Sequence, residues 1–238
     1  PLSSLAEAVH RARLHQADGG PELRHGVPAL VVPAADVEID LDMENALDGT
    51  PYLWGAWSEG AYTGIASWEP TSPAVAADVF VRFWAWLSAQ RDAAHAAGRT
   101  IACWCWYAPA ESGALRAGAR AAADRLDRPE LVDEVEAFVA GPELVDLHRV
   151  FTTQLLTDGS AGLKAVATVA GFAWRDEEPS GEASMAWHDE AVGAPEPAAR
   201  DAARRRLLAY NEDDVRATAA VRRWMREDLP ARLASRSI

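Results

Sequence analysis

Between Val37 and Asn45 the chain alternates apolar and acidic residues, Val-Glu-Ile-Asp-Leu-Asp-Met-Glu-Asn. A period of two is what a β-strand imposes, because successive side chains leave opposite faces of the sheet. Val37, Ile39, Leu41 and Met43 then share one face, and Glu38, Asp40, Asp42 and Glu44 share the other. Four carboxylates on one strand face repel each other unless water or cations screen them. Taken alone, this reads as a half-exposed strand with a solvated acidic face. Far along the chain, however, Tyr210-Asn211-Glu212-Asp213-Asp214 sits in a helical run. An Asp-x-Glu strand with a late Tyr-x-x-x-Asp helix points to one divalent-metal site gathered from distant pieces.

The strand's surroundings read as a mixed α/β chain. Tyr52 to Trp57 and Tyr62 to Trp68 are predicted strands, separated by Ser58-Glu59-Gly60, so that with 37–45 they form an antiparallel three-strand meander. A long helix follows to about Ala97, its apolar face carried by Val79, Phe80, Phe83, Trp84 and Leu87. Thr100 to Trp106 is a fourth strand, apolar enough to be buried on both faces. Helices are predicted from Pro109 through Leu126, from Pro129 to Val139, from Gly162 to Ala170 and from Ala199 to Glu227. Leu144 to Leu156 reads as a short strand or a loop entering a helix, and residues 175–198 as a mobile surface loop. Before the meander, Ser3 to Gln16 is predicted helical and 19–35 a loop. The predicted organisation is an extension and linker over 1–35, one domain over 36–230 and a tail over 231–238.

Composition narrows the function classes. A net charge of −13 argues against a nonspecific coat on duplex DNA, which needs dense Lys and Arg. It leaves room for an enzyme that handles one strand end through metals. Cys103 and Cys105 are the two cysteines, and their Cys-Trp-Cys spacing fits neither a zinc pair nor an ordinary disulfide. With no long apolar run and no signal-like start, the expectation is a cytoplasmic protein without membrane contact. The start at Pro1 predicts a piece of a longer polypeptide.

On the last helix Tyr210 and Asp214 stand four apart and share a face, which Leu207, Ala217 and Val221 extend. Asp213 and Glu212 point elsewhere and are expected to be solvated. A buried Asp is costly unless paired or metal-bound; a packed Tyr with a salt-bridged Asp is the plainer alternative. Arg204-Arg205-Arg206 and Arg222-Arg223 could track a nucleic-acid backbone or form a solvated helix face. Trp104, Trp106 and Tyr107 are expected in the core, with base stacking as the alternative. His148 and His188 lack metal-ligand spacing and are expected in core or surface roles.

Six segments together resemble the tyrosine-bearing DEDD exonucleases of the ribonuclease-H-like superfamily. They are Asp42-Met43-Glu44, Tyr52-Leu53-Trp54-Gly55, the stretch from Trp106 to Leu115, Val145-Asp146-Leu147, Gly162-Leu163-Lys164 and the stretch from Tyr210 to Asp214. More narrowly, the chain resembles the predicted exonuclease domain at the carboxyl end of some RecB-like nucleases, over about residues 36–226. The resemblance implies a ribonuclease-H-like α/β fold and metal-dependent 3′–5′ hydrolysis of single-stranded DNA or RNA, using two Mg²⁺ or Mn²⁺ ions. It makes Asp42 and Glu44 the first-motif ligands, Glu111 the second-motif ligand in place of the usual Asp, and Asp214 the third. Tyr210 would orient the attacking water. Asp40 rivals the first pair, Asp146 is a partner behind the ligands or a strand-end acid, and Lys164 is a phosphate contact or a solvated lysine. It also implies a RecB-like nuclease or helicase portion as partner in the same chain. The rival classes are a catalytically weak binding module of the same fold and an endonuclease cutting branched or hybrid duplexes.

Overall fold

The computed structural model describes Val9 and residues 20–157, 159–177 and 180–235. The helix expected over Ser3 to Gln16 therefore lies outside the described residues, apart from Val9.

The acidic stretch is strand β2, Val37–Asn45. It pairs antiparallel with β3, Pro51–Ser58, which pairs antiparallel with β4, Ala61–Ala66. On its other side β2 runs parallel to β5, Ile101–Cys105, and β5 runs parallel to β6, Leu144–Asp146. The sheet order is thus β4-β3-β2-β5-β6, the expected meander extended by two parallel strands. Helix α1, Pro73–Ala96, makes the crossover from β4 to β5; Ser72 caps it by accepting from the Val75 backbone N–H. Helices α2, Ala108–Leu126, and α3, Glu130–Ala140, connect β5 to β6. Helix α4, Leu147–Gln154, leads to β7, Leu155–Leu156, and α5, Leu163–Val169, follows.

The two faces of β2 lead to different worlds. Ile39 and Leu41, with Trp54 and Ala56 of β3, pack against Phe80, Phe83 and Leu87 of α1 and Leu115 and Ala119 of α2. Trp54 stacks on Phe83 with ring centroids 4.4 Å apart. Burying each such side chain is worth about 1.5–3 kcal/mol, so this face holds the sheet and fixes the register. The opposite face lies under α7, Pro197–Glu227. The solvated acidic face expected for the strand is therefore not found: Asp40 is fully buried and Glu44 nearly so, because a 31-residue helix covers them.

Three further expectations change. Residues 175–198 are not a mobile loop throughout: Gly181–Gly193 is helix α6, capped by Ser180, with Ser184, Trp187, His188 and Ala191 buried. That quartet has the i, i+3, i+4, i+7 spacing of a buried helix face, which its small and polar members disguise. Residues 20–35 are tied down, since β1, Glu22–Leu23, pairs with β7, and Arg24 donates to the Thr152 carbonyl at 2.6 Å. The described part of the tail expected over 231–238 is helical: α8 is Leu229–Ser235, with Leu229 and Leu233 buried. Both cysteines are free and buried, and no described helix is long and apolar enough to cross a membrane.

Candidate metal centre

Helix α7 runs antiparallel to β2, meeting its acidic face in reverse order. Asn211 reaches Asp42, Arg222 reaches Asp40, and Arg226 reaches Glu38. At the amino-terminal end of this overlap, Asp42, Glu44 and Asp214 each offer a carboxylate oxygen, and these three oxygens lie within 4.8 Å of one another. Two come from one strand at i, i+2 spacing and one from the facing helix.

Each carboxylate has one positioned donor. Asn211 Nδ2 donates to Asp42 Oδ2 at 2.9 Å, Ser184 Oγ to Glu44 Oε2 at 2.9 Å, and Trp174 Nε1 to Asp214 Oδ1 at 2.6 Å. These donors do not offset the crowding. Burial, then the neighbouring carboxylates, push Asp42 well above the ordinary range; burial and Asp214 push Glu44 up to about 8. Asp214 is raised too, chiefly by burial, against the opposing pull of Lys164. Neutral acids at this spacing are what an oxygen cage for a hard cation becomes without its counter-charge.

Tyr210 lies one turn before Asp214, and Trp187 of α6 packs edge-on against its ring at 5.7 Å. Lys164 Nζ donates to the Tyr210 hydroxyl at 2.9 Å. Lys164 is therefore not a solvated lysine; α5 points it into the centre. Burial, then Asp214, Glu44 and Asp42, raise the Tyr210 phenol, so it stays protonated.

Glu111, in the first turn of α2, stands outside the group of three. It is buried, its Oε2 has no hydrogen-bond partner, and burial pushes it up to about 7. Its charge nonetheless contributes to raising Asp42. An orphaned buried carboxylate oxygen beside three crowded acids fits a divalent cation better than it fits a dry core.

Other candidates resolve differently. Asp40 is held on both oxygens by Arg222, at 3.1 and 2.7 Å, and Glu38 pairs with Arg222 and Arg226. Arg222 is thus neither a solvated nor a backbone-tracking residue. Asp146 caps α4, accepting from the Arg149 backbone N–H at 2.7 Å, and its charge raises Glu111. Asp213, expected in solvent, is buried and bound by Arg175 at 2.9 Å; Glu212 takes the other arm of that guanidinium. Arg206 pairs with Asp176 and lies 3.8 Å over the Trp187 ring. Trp104 is core, but Tyr107 is about half exposed, contrary to expectation. His188 is core, stacked on Tyr52 at 3.9 Å. An open groove of about 1050 Å³ beside β6 is lined by Pro109, Ser112, Asp146 and Arg149, and by none of Asp42, Glu44, Asp214 or Tyr210. Sequence reasoning missed Asn211, Ser184 and Trp174. Asn211 was visible as the neighbour of Tyr210, three residues before Asp214.

Comparison with protein-family models matches the RNase_H superfamily over residues 122–226. That span includes Lys164, Tyr210 and Asp214 and leaves out Asp42, Glu44 and Glu111. Searches of curated proteins and of solved structures return no match. With the mixed five-strand sheet flanked by helices, the family match supports a ribonuclease-H-like domain, and the fold is α/β of that kind.

Proposed function

We propose that this chain is a metal-dependent 3′–5′ exonuclease of the tyrosine-bearing DEDD type, acting on ends of single-stranded DNA or RNA. Residues 36–230 form its nuclease domain, within a larger RecB-like nuclease. The observation that carries the reading is the convergence of Asp42, Glu44 and Asp214, with Tyr210 one helical turn away.

Asp42, Glu44 and Asp214 would hold two Mg²⁺ or Mn²⁺ ions, with Glu111 completing the set through its unpartnered oxygen. Such ions supply charge neutralisation at the phosphate and a water acidified for attack. Tyr210, kept protonated by its surroundings, is a hydrogen-bond donor and not a base. Its hydroxyl oxygen accepts from Lys164 at 2.9 Å, and its proton would orient a water. Ser184, Asn211 and Trp174 fix the carboxylates so that little reorganisation accompanies the reaction.

The test incubates end-labelled single-stranded DNA and RNA with the protein and Mn²⁺, Mg²⁺ or EDTA, beside the Asp42→Ala/Asp214→Ala variant. A metal-dependent ladder absent from the variant is expected, with single-stranded circles left intact. Undegraded substrate in every lane, or a ladder that survives in the variant, overturns the proposal.

A further inference from the structure

Asp42 on β2, Gly55 on β3 and Gly64 on β4 stand directly opposite one another across three neighbouring strands. The row faces α7. Two positions without side chains open a slot in the sheet surface next to the Asp42 carboxylate, filled by the Asn211 amide over Gly55 and by the Tyr62 ring and Leu208 over Gly64. A Cβ built at Gly55 would lie 1.7 Å from Asn211 Oδ1, and one at Gly64 would lie 2.8 Å from the Tyr62 hydroxyl. Neither glycine has a left-handed backbone, so space and not φ is the reason for glycine at both places.

Within the slot the Tyr62 hydroxyl donates to Asn211 Oδ1 at 2.8 Å, and Asn211 Nδ2 donates to Asp42 Oδ2 at 2.9 Å. An ionised Asp42 only accepts, so it holds the amide nitrogen inward, and the Tyr62 hydroxyl then donates to the outward carbonyl oxygen.

We propose that Gly55, Gly64, Tyr62 and Asn211 form a relay that positions the Asp42 carboxylate for a divalent cation. Asn211 is the positioning residue; Gly55 makes room for it, and Gly64 makes room for the Tyr62 ring that holds it. The relay rests on the metal-centre reading and is independent of whether the chain cuts nucleic acid. Partners that orient metal ligands typically account for about 10–100-fold in affinity.

The experiment measures Mn²⁺ binding alone, by calorimetry and by electron paramagnetic resonance of the free ion, together with the melting temperature of the metal-free protein. Asn211→Ala should weaken Mn²⁺ binding by about 10–100-fold, and Tyr62→Phe by a smaller factor in the same direction. Gly55→Ala should match the Asn211→Ala loss, because its methyl group expels the amide, and should also lower the melting temperature. Adding Asn211→Ala to Gly55→Ala removes the clashing atom. The double variant should recover melting temperature and bind Mn²⁺ no worse than Asn211→Ala alone. Parent-like Mn²⁺ affinity in Asn211→Ala overturns the relay and leaves the metal centre standing. A parent protein that binds no Mn²⁺ overturns both.

Discussion

One strand carries two acid clusters that met opposite fates. Glu38 and Asp40 face Arg222 and Arg226, whose guanidinium groups also lie 5.4 and 5.3 Å over the Trp104 ring. Asp42 and Glu44 face Asp214, with one lysine nearby and neutral donors around them. The two clusters are neighbours on β2 and lie under the same helix. The first carries its own cations, and although burial still pushes Asp40 up to about 6, Arg222 opposes that shift. The second concentrates negative charge in a buried place, which a fold tolerates only by protonation or by a cation. Local charge balance, and not the number of carboxylates, separates the two clusters.

Breaking each side should give opposite signatures. Removing a carboxylate, by Asp42→Ala or Asp214→Ala, should reduce nuclease turnover by more than the ~10–100-fold typical of losing an outer partner. The metal-free melting temperature should hold or rise, since repulsion is relieved. Scanning calorimetry beside a turnover assay checks both halves. Arg222→Ala should do the reverse, leaving Asp40 buried without its partner and costing about 3–5 kcal/mol of stability. Urea titration reads that loss, while Mn²⁺ affinity of the folded fraction should change far less than in Asp42→Ala.

Two smaller effects sharpen the contrast. Tyr210→Phe should lower kcat by about 10²-fold, the low end for losing one positioned hydrogen-bond donor, with little change in KM. Glu44 supplies the pH signature. Its folded carboxyl is pushed up to about 8, above its ordinary value, so the folded state holds the proton more tightly than the unfolded chain. That contribution to stability is present at low pH and is lost as pH rises through about 8. Without divalent metal, the parent should therefore lose melting temperature relative to Glu44→Gln between about pH 5 and pH 8. Mn²⁺ should erase the difference and bind more tightly as pH rises, because it displaces the same protons.

Much of the scaffold was legible in the chain. The meander of β2, β3 and β4 follows from period-two alternation and the turn at Ser58-Glu59-Gly60; the long α1 follows from its broad apolar face. The convergence of Asp42, Glu44 and Asp214, with Tyr210 one turn away, was legible through spacing and resemblance to a known motif order. Helix α6 was not, because its buried face is built from Ser184, Trp187, His188 and Ala191 and shows little apolar contrast. Asp213 was misplaced for a related reason. Helical phase sets it about 100° from Asp214, but Arg175 arrives from outside the helix to bury it.

What the sequence determined by itself is periodicity, and with it which residues share a face: Asp40, Asp42 and Glu44 on one side of β2, Tyr210 and Asp214 on one side of α7. Which acids are neutralised was decided only by tertiary structure. Arg222 lies 182 residues from Asp40, and Asn211 lies 169 residues from Asp42. Pairings over such distances depend on where α7 settles on the sheet. That position is set by apolar packing and by the space above Gly55 and Gly64, and no local pattern encodes it.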